Sequence, residues 1–213
     1  MRCCEKGRSM IEMLGVLSVV GMLSLGALNG YAKATAKMKR DKLVYQISEL
    51  IINIRALYFQ QVDFSDINAK TLVNSGAVPH EMFDPNDRNK SEVPLYNAFG
   101  GSVFIFPSNK DESNRKMAFE IYITGLNHDT CVTMATTDWG QDPASGFISM
   151  YIGMDEEITG PLMTDIYSSV GHNEEQGIFT SGQHELAVPL PVTTAYAACA
   201  CPTNECVVGL KYL

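Results

Sequence analysis

The sequence predicts an α+β fold, in which one long N-terminal helix leads into a globular domain built on an antiparallel sheet. Three observations carry this reading. Residues 13–28, MLGVLSVVGMLSLGAL, contain no charge, and a helical period follows at Leu43, Ile47, Leu50, Ile54 and Leu57. No proline precedes Pro79, so nothing forces a break between these two stretches. Past the Gly100–Gly101 pair, the apolar residues come in short runs of the kind that form strands.

The elements follow in order. A single helix is expected from about Ser9 to about Gln61, roughly 80 Å long at the α-helical rise. Met10 and Ile11 extend the apolar run on the far side of Glu12, so a membrane segment is expected over about residues 10–30. The second half of the helix is amphipathic. Such a rod has too much apolar surface to stand alone in water and must lie in lipid or in a bundle of copies. In DFSDINAKTLVNSGAVP, Ser65 or Asp66 is expected to cap a short helix that Gly76 and Pro79 stop. Residues 84–92 form a polar loop. NAFGGSVFIFP gives a Gly-Gly turn and a strand over Val103–Phe106, and Met117–Thr124 gives a second strand. Asn127 can cap a helix through HDTCVTMAT; Phe147–Ile152 reads as a strand, Thr193–Cys199 as a short helix and Val207–Tyr212 as a closing strand.

Composition sets outer limits. At 213 residues and 46% hydrophobic content, the chain can build one sizeable core and is short for two. A formal charge of -8 supplies no positive field to attract phosphates, so no nucleic-acid partner is predicted. His80, His128, His172 and His184 lack any metal-ligand spacing, and no nucleophile elbow, P-loop or dinucleotide fingerprint occurs. Asp84, Asn86 and Asp87 suggest a calcium loop, but Arg88 takes the next ligand position and the loop glycine is missing. Asp155, Glu156 and Glu157 read as a solvated acidic stretch. The expectation is no enzyme, no cofactor and no metal.

Glu12 is the informative residue. A carboxylate in the first turn of a membrane helix costs a few kcal/mol unless a partner neutralises it, and the helix dipole returns less than about 1 kcal/mol. A cationic partner is therefore required. An ordinary secretory signal cut at Ala34, after the A-x-A of Ala32, Lys33 and Ala34, and a plain uncut anchor are the alternatives; neither explains the carboxylate. The flanking charges point the C-terminal domain inward by the positive-inside rule. Arg2, Lys6 and Arg8 stand against Glu5 before the span, whereas Lys33, Lys37, Lys39, Arg40 and Lys42 stand against Asp41 after it.

The stretch GRSMIEMLGVLSVVGMLSLGALNGYAKA resembles the type IV pilins and the related pseudopilins of secretion systems. In that family a prepilin peptidase cuts after a Gly that follows a short basic leader, and a Glu stands fifth in the mature chain. Gly7 and Glu12 have that spacing, with Arg8 as the new first residue. Arg8 departs from the family, which usually carries Phe, Met or another apolar residue that becomes N-methylated. The resemblance implies that the amino group of Arg8 neutralises Glu12 of a neighbouring subunit as helices enter a growing fibre. More loosely, Asn97–Val103, GLNHDTCVTMAT and CACPTNEC follow one another as similar segments do in type IVb pilins, including those of thin conjugative pili.

The implied organisation is a leader at 1–7, an assembly helix at 8–61 and a pilin head at 62–213. The implied partners are the prepilin peptidase, other pilin subunits, the inner-membrane assembly machinery and membrane lipid. The subunit would sit in the inner membrane with a periplasmic head, then in a surface pilus or a periplasmic pseudopilus. The alternative is a membrane-tethered or secreted non-catalytic binding domain.

Six cysteines complete the inventory, of which Cys3 and Cys4 lie in the leader. Cys131, Cys199, Cys201 and Cys206 remain, and an even number in an exported domain points to disulfides. A bond between Cys199 and Cys201 is disfavoured by geometry. Cys131–Cys199 with Cys201–Cys206 is the favoured pairing, and Cys131–Cys201 with Cys199–Cys206 is the alternative. A four-thiolate zinc site is the rival, though CACPTNEC lacks the usual C-x-x-C knuckles.

Overall fold

The computed structural model describes residues 10–61, 63–110, 115–140, 145–154, 158–163, 177–180, 188–201 and 205–213. Two compact units are present, Met1–Lys39 and Arg40–Leu213. Helix α1 (Met10–Tyr58) contributes to both, and its described part of the first unit is helical throughout.

In the second unit α1 buries Leu43, Ile47, Leu50, Ile51, Ile54 and Tyr58. The sequence stripe holds except at its end, where Leu57 is 40% exposed and Tyr58 is buried instead. The 3.6-residue period places both residues at the margin of the buried face. The tyrosine wins that place because its ring stacks on Phe64 at 5.0 Å while its hydroxyl donates to Asp66 at 2.9 Å. Burial, followed by the Asp66 carboxylate, pushes the Tyr58 phenol well above its usual range.

That bond also explains a correction. Neither Ser65 nor Asp66 caps the short helix α2 (Ala69–Ser75); Asn68 does, accepting from the Thr71 N–H at 2.9 Å. Asp66 is engaged by Tyr58 instead. Gly76 ends the helix as expected, in the left-handed region at φ 77°. The polar loop over 84–92 contains a 3-10 turn, Pro85–Asp87, capped by Asp84. The suspected calcium carboxylates are thus spent locally: Asp84 accepts from Asn86, and Asp87 pairs with Lys90 at 2.8 Å.

The sheet comprises β1 (Leu95–Tyr96), β2 (Ser102–Ser108), β3 (Ala118–Leu126), β4 (Phe147–Met154), β5 (Gly177–Thr180) and β6 (Cys206–Tyr212). Its order is β1-β2-β3-β6-β4-β5, and each neighbouring pair is antiparallel. The C-terminal strand therefore lies in the middle of the sheet. Strands β1 and β5 escaped the sequence reading; they are two and four residues long, too short for a period to show. Helix α3 (His128–Thr136) starts at Asn127, whose side chain accepts from the Thr130 N–H at 3.0 Å. Helix α4 is Val192–Ala198.

Alternation divides the sheet into two faces. Val103, Ile105, Phe119, Ile121, Ile123, Met150, Ile152, Val208 and Leu210 join the buried stripe of α1 and the inner sides of α3 and α4 in one core. Ring contacts run through this core from Phe64 to Phe119 (5.1 Å), Tyr212 (5.9 Å) and Phe147 (5.3 Å). Such a core stabilises by roughly 1.5–3 kcal/mol for each large side chain it removes from water.

The turn between β1 and β2 needs both of its glycines. Gly100 has φ 88°, and a Cβ on Gly101 would lie 2.0 Å from the Thr124 carbonyl oxygen. Buried Asn97 completes the turn: it accepts from the Phe99 and Gly101 N–H groups and donates to Thr124 O at 2.8 Å. Gly101→Ala is expected to destabilise the head by about 2 kcal/mol through backbone overlap, measured as a lowered thermal midpoint. An unchanged midpoint would refute the close approach.

Candidate assembly surface

The first unit presents a helical surface that is left exposed among the described residues. Every described residue from Met10 to Ala34 is exposed, including Met10 at 84% and Leu23 at 68%. Between Glu12 and Lys33 there is no charged side chain. This stretch makes α1 long and apolar enough to cross a membrane, with a mean hydropathy of 2.0 over its most apolar window. Its two serines do not break that character. Ser18 and Ser24 each donate to the carbonyl four residues back, Leu14 O and Val20 O, both at 2.8 Å. Each hydroxyl is satisfied within the helix, as an environment without water demands.

Glu12 is exposed in the first turn of α1, the one acid in an otherwise apolar surface. Gly7 and Arg8 lie outside the described residues, as do Cys3 and Cys4. Ala32 and Ala34 lie within the continuous helix, so a cut after Ala34 would divide α1 rather than free an ordered domain start.

The head is stapled at one edge. Cys131 on α3 is bonded to Cys199 at the end of α4, and Cys201 to Cys206 at the start of β6, with Cα separations of 5.8 and 5.7 Å. These four sulfurs are buried in the head and bonded to one another, leaving no thiolate set for zinc. The exposed side of α3 carries His128, whose ring packs edge-on against Tyr196 of α4 at 4.4 Å. His80 sits beside Phe83, while His172 and His184 fall outside the described residues, as does the acidic stretch 155–157.

The sheet's second face holds functional-looking chemistry that the sequence reading missed. Glu120 of β3 and Lys211 of β6 are direct cross-strand partners, each fully buried, with Nζ 3.6 Å from Oε1. Ser108 and Tyr122 both donate to the Glu120 carboxylate, and the Met163 N–H donates to it at 3.1 Å. Lys211 donates to Met163 O, and the Leu162 N–H donates to the Tyr122 hydroxyl at 2.7 Å. Burial, then the Glu120 charge, drives the Tyr122 phenol far up, which keeps it a donor. The network fastens residues 158–163 over the sheet, where Ile158 and Met163 form a small second core with Tyr122 and Val207.

Every member of this network has a structural partner, so it reads as an anchor rather than a reactive centre. Lys211→Met is expected to cost about 3 kcal/mol, because it leaves a carboxylate buried without its counter-ion. Glu120→Leu added to it should restore much of that loss in a denaturant-unfolding cycle; full additivity would refute the coupling.

The chain is similar to known proteins in a consistent way. The family model described as Bundlin matches residues 33–178. Two relatives, from Escherichia coli O111:H- and from Escherichia coli O127:H6 (strain E2348/69 / EPEC), are each described as the major structural subunit of bundle-forming pilus. Each is 25% identical over 201 residues, covering 94% of this chain and 90% of its own. The crystal structure of TcpA, a type IV pilin from Vibrio cholerae El Tor biotype, superposes with a TM-score of 0.54 at 17% identity. It covers 83% of this chain and 99% of that one. With a long N-terminal helix, a central antiparallel sheet and a family match across most of its length, this chain belongs to the bundlin family and has the fold of a type IV pilin.

Proposed function

We propose that this protein is a structural, non-catalytic subunit of a type IV pilus, polymerised through α1 with the disulfide-bearing head outward. The observation that carries the reading is the uncovered, charge-free surface of residues 13–32, which must be buried in lipid before assembly and against other copies afterwards. The relatives, each named for a pilus subunit over nearly the whole chain, support it. Further along, Tyr45 and Ile52 of α1 and Phe59 just past its end recur every seventh residue, all at least 65% exposed, and give an outward apolar stripe for neighbouring copies.

The finer steps belong to the same proposal. The precursor is inserted in the inner membrane with its head periplasmic, and a prepilin peptidase cuts after Gly7. The new amino group on Arg8 then neutralises Glu12 of an adjacent subunit, and inner-membrane assembly machinery drives polymerisation into a surface fibre. The segments are a leader at 1–7, an assembly helix at 8–61 and a head at 62–213. Mass spectrometry of the mature N-terminus tests the first step. A chain beginning at Arg8 is expected; one beginning at Thr35 would mean an ordinary secretory cut and overturn the reading.

A further inference from the structure

The five cations just past the apolar stretch are not equivalent. Arg40 lies 3.9 Å from Asp129, Lys42 is paired with Glu81, whose carboxyl it holds below the usual range, and Lys39 also has a partner. Lys33 and Lys37 are different: both are exposed, and among the described residues no carboxylate lies within ion-pair distance of either. Four residues apart on α1, they share one face of the helix.

Their depth is set by the chain. The twenty uncharged residues 13–32 extend roughly 30 Å as a helix, the thickness of a bilayer's hydrocarbon core. Tyr31, 73% exposed, stands at the end of that span, where an amphipathic ring favours the interface. Lys33 then follows at once and Lys37 about one turn later, within the headgroup layer. Their stems can lie along the apolar surface with the ammonium groups among phosphates. The chain as a whole carries -8, so this basic face is set apart from an acidic remainder that an anionic surface repels.

We propose that Lys33 and Lys37 form a docking site for anionic phospholipid headgroups in the leaflet that the head faces. The site holds the unassembled subunit at fixed depth. This rests on the reading of residues 13–32 as a membrane segment. A second copy is the competing occupant, but the match between helix length and headgroup depth favours lipid.

The full-length protein, reconstituted in nanodiscs of equal parts phosphatidylcholine and phosphatidylglycerol and released in a mass spectrometer, tests this by the lipids that stay bound. The wild type should retain phosphatidylglycerol in preference. Lys33→Gln/Lys37→Gln should stay inserted while that preference falls about tenfold or more. No preference in the wild type, or an undiminished one in the double variant, overturns the site. A lysine-dependent dimer without lipid preference assigns the pair to a second copy and overturns it equally. Failure to enter bilayers at all removes the membrane reading beneath it, a result distinct from insertion without preference.

Discussion

Glu12→Ala is expected to leave the precursor cut after Gly7 and inserted in the membrane, yet lower its recovery in sheared fibres by about tenfold or more. The physical basis is the cost of a few kcal/mol for a carboxylate at the start of an apolar helix. That cost makes the residue useful only where a cation arrives to meet it. Among the described residues of α1, the nearest cation along the helix from Glu12 is Lys33, about six turns away. The amino group that cleavage would create on an adjacent chain is the partner proposed here. Removing the carboxylate would make the free subunit more comfortable in lipid and, on the proposed pairing, would remove its attraction to the growing end. Immunoblotting of fibre and membrane fractions, with the mature mass checked in parallel, separates assembly from processing. Normal fibres from the variant would refute the pairing.

The second large effect is the loss of the Cys131–Cys199 bond. It closes a loop of 68 residues, whereas Cys201–Cys206 closes one of 5. Loop-closure entropy assigns about 4 kcal/mol to the first and about 2 kcal/mol to the second. The double variant Cys131→Ala/Cys199→Ala should therefore unfold at clearly lower denaturant than Cys201→Ala/Cys206→Ala. Trp139, the single tryptophan, reports the transition from the right place. It is buried beside α3, and its indole N–H donates to Met134 O at 2.8 Å. Equal midpoints for the two variants would show that the long loop is not what the first bond restrains.

Much of the fold could be read locally. Asn127 before HDTCVTMAT specified α3 because an N-cap and its helix lie within one turn of each other. The strands over Ser102–Ser108, Ala118–Leu126, Phe147–Met154 and Cys206–Tyr212 are each legible in the sequence, with ends displaced by at most two residues. The cap of α2 was misplaced because the choice between Asp66 and Asn68 turned on Tyr58, a contact made across the end of α1. The buried pair of Glu120 and Lys211 left one faint trace. Each is a charged residue inside an apolar run, Glu120 in AFEIYI and Lys211 in VVGLKY, and read separately each looks like the solvent-facing position of a half-buried strand.

By itself the sequence determined the long helix, its charge-free first half, the acid at position 12, the α+β class and the four head cysteines. These depend on the order of residues along one stretch, where period, capping and composition act over a turn or a strand. The tertiary structure alone decided that the last strand enters the sheet between β3 and β4. It also decided between the favoured bond of Cys131 to Cys199 and its alternative, in favour of the former, and that Glu120 meets Lys211 beneath a strap of backbone. The bonded cysteines are 68 residues apart and the ion pair 91. Their pairing is set by which apolar faces bury together, a property of the whole core that no local pattern carries.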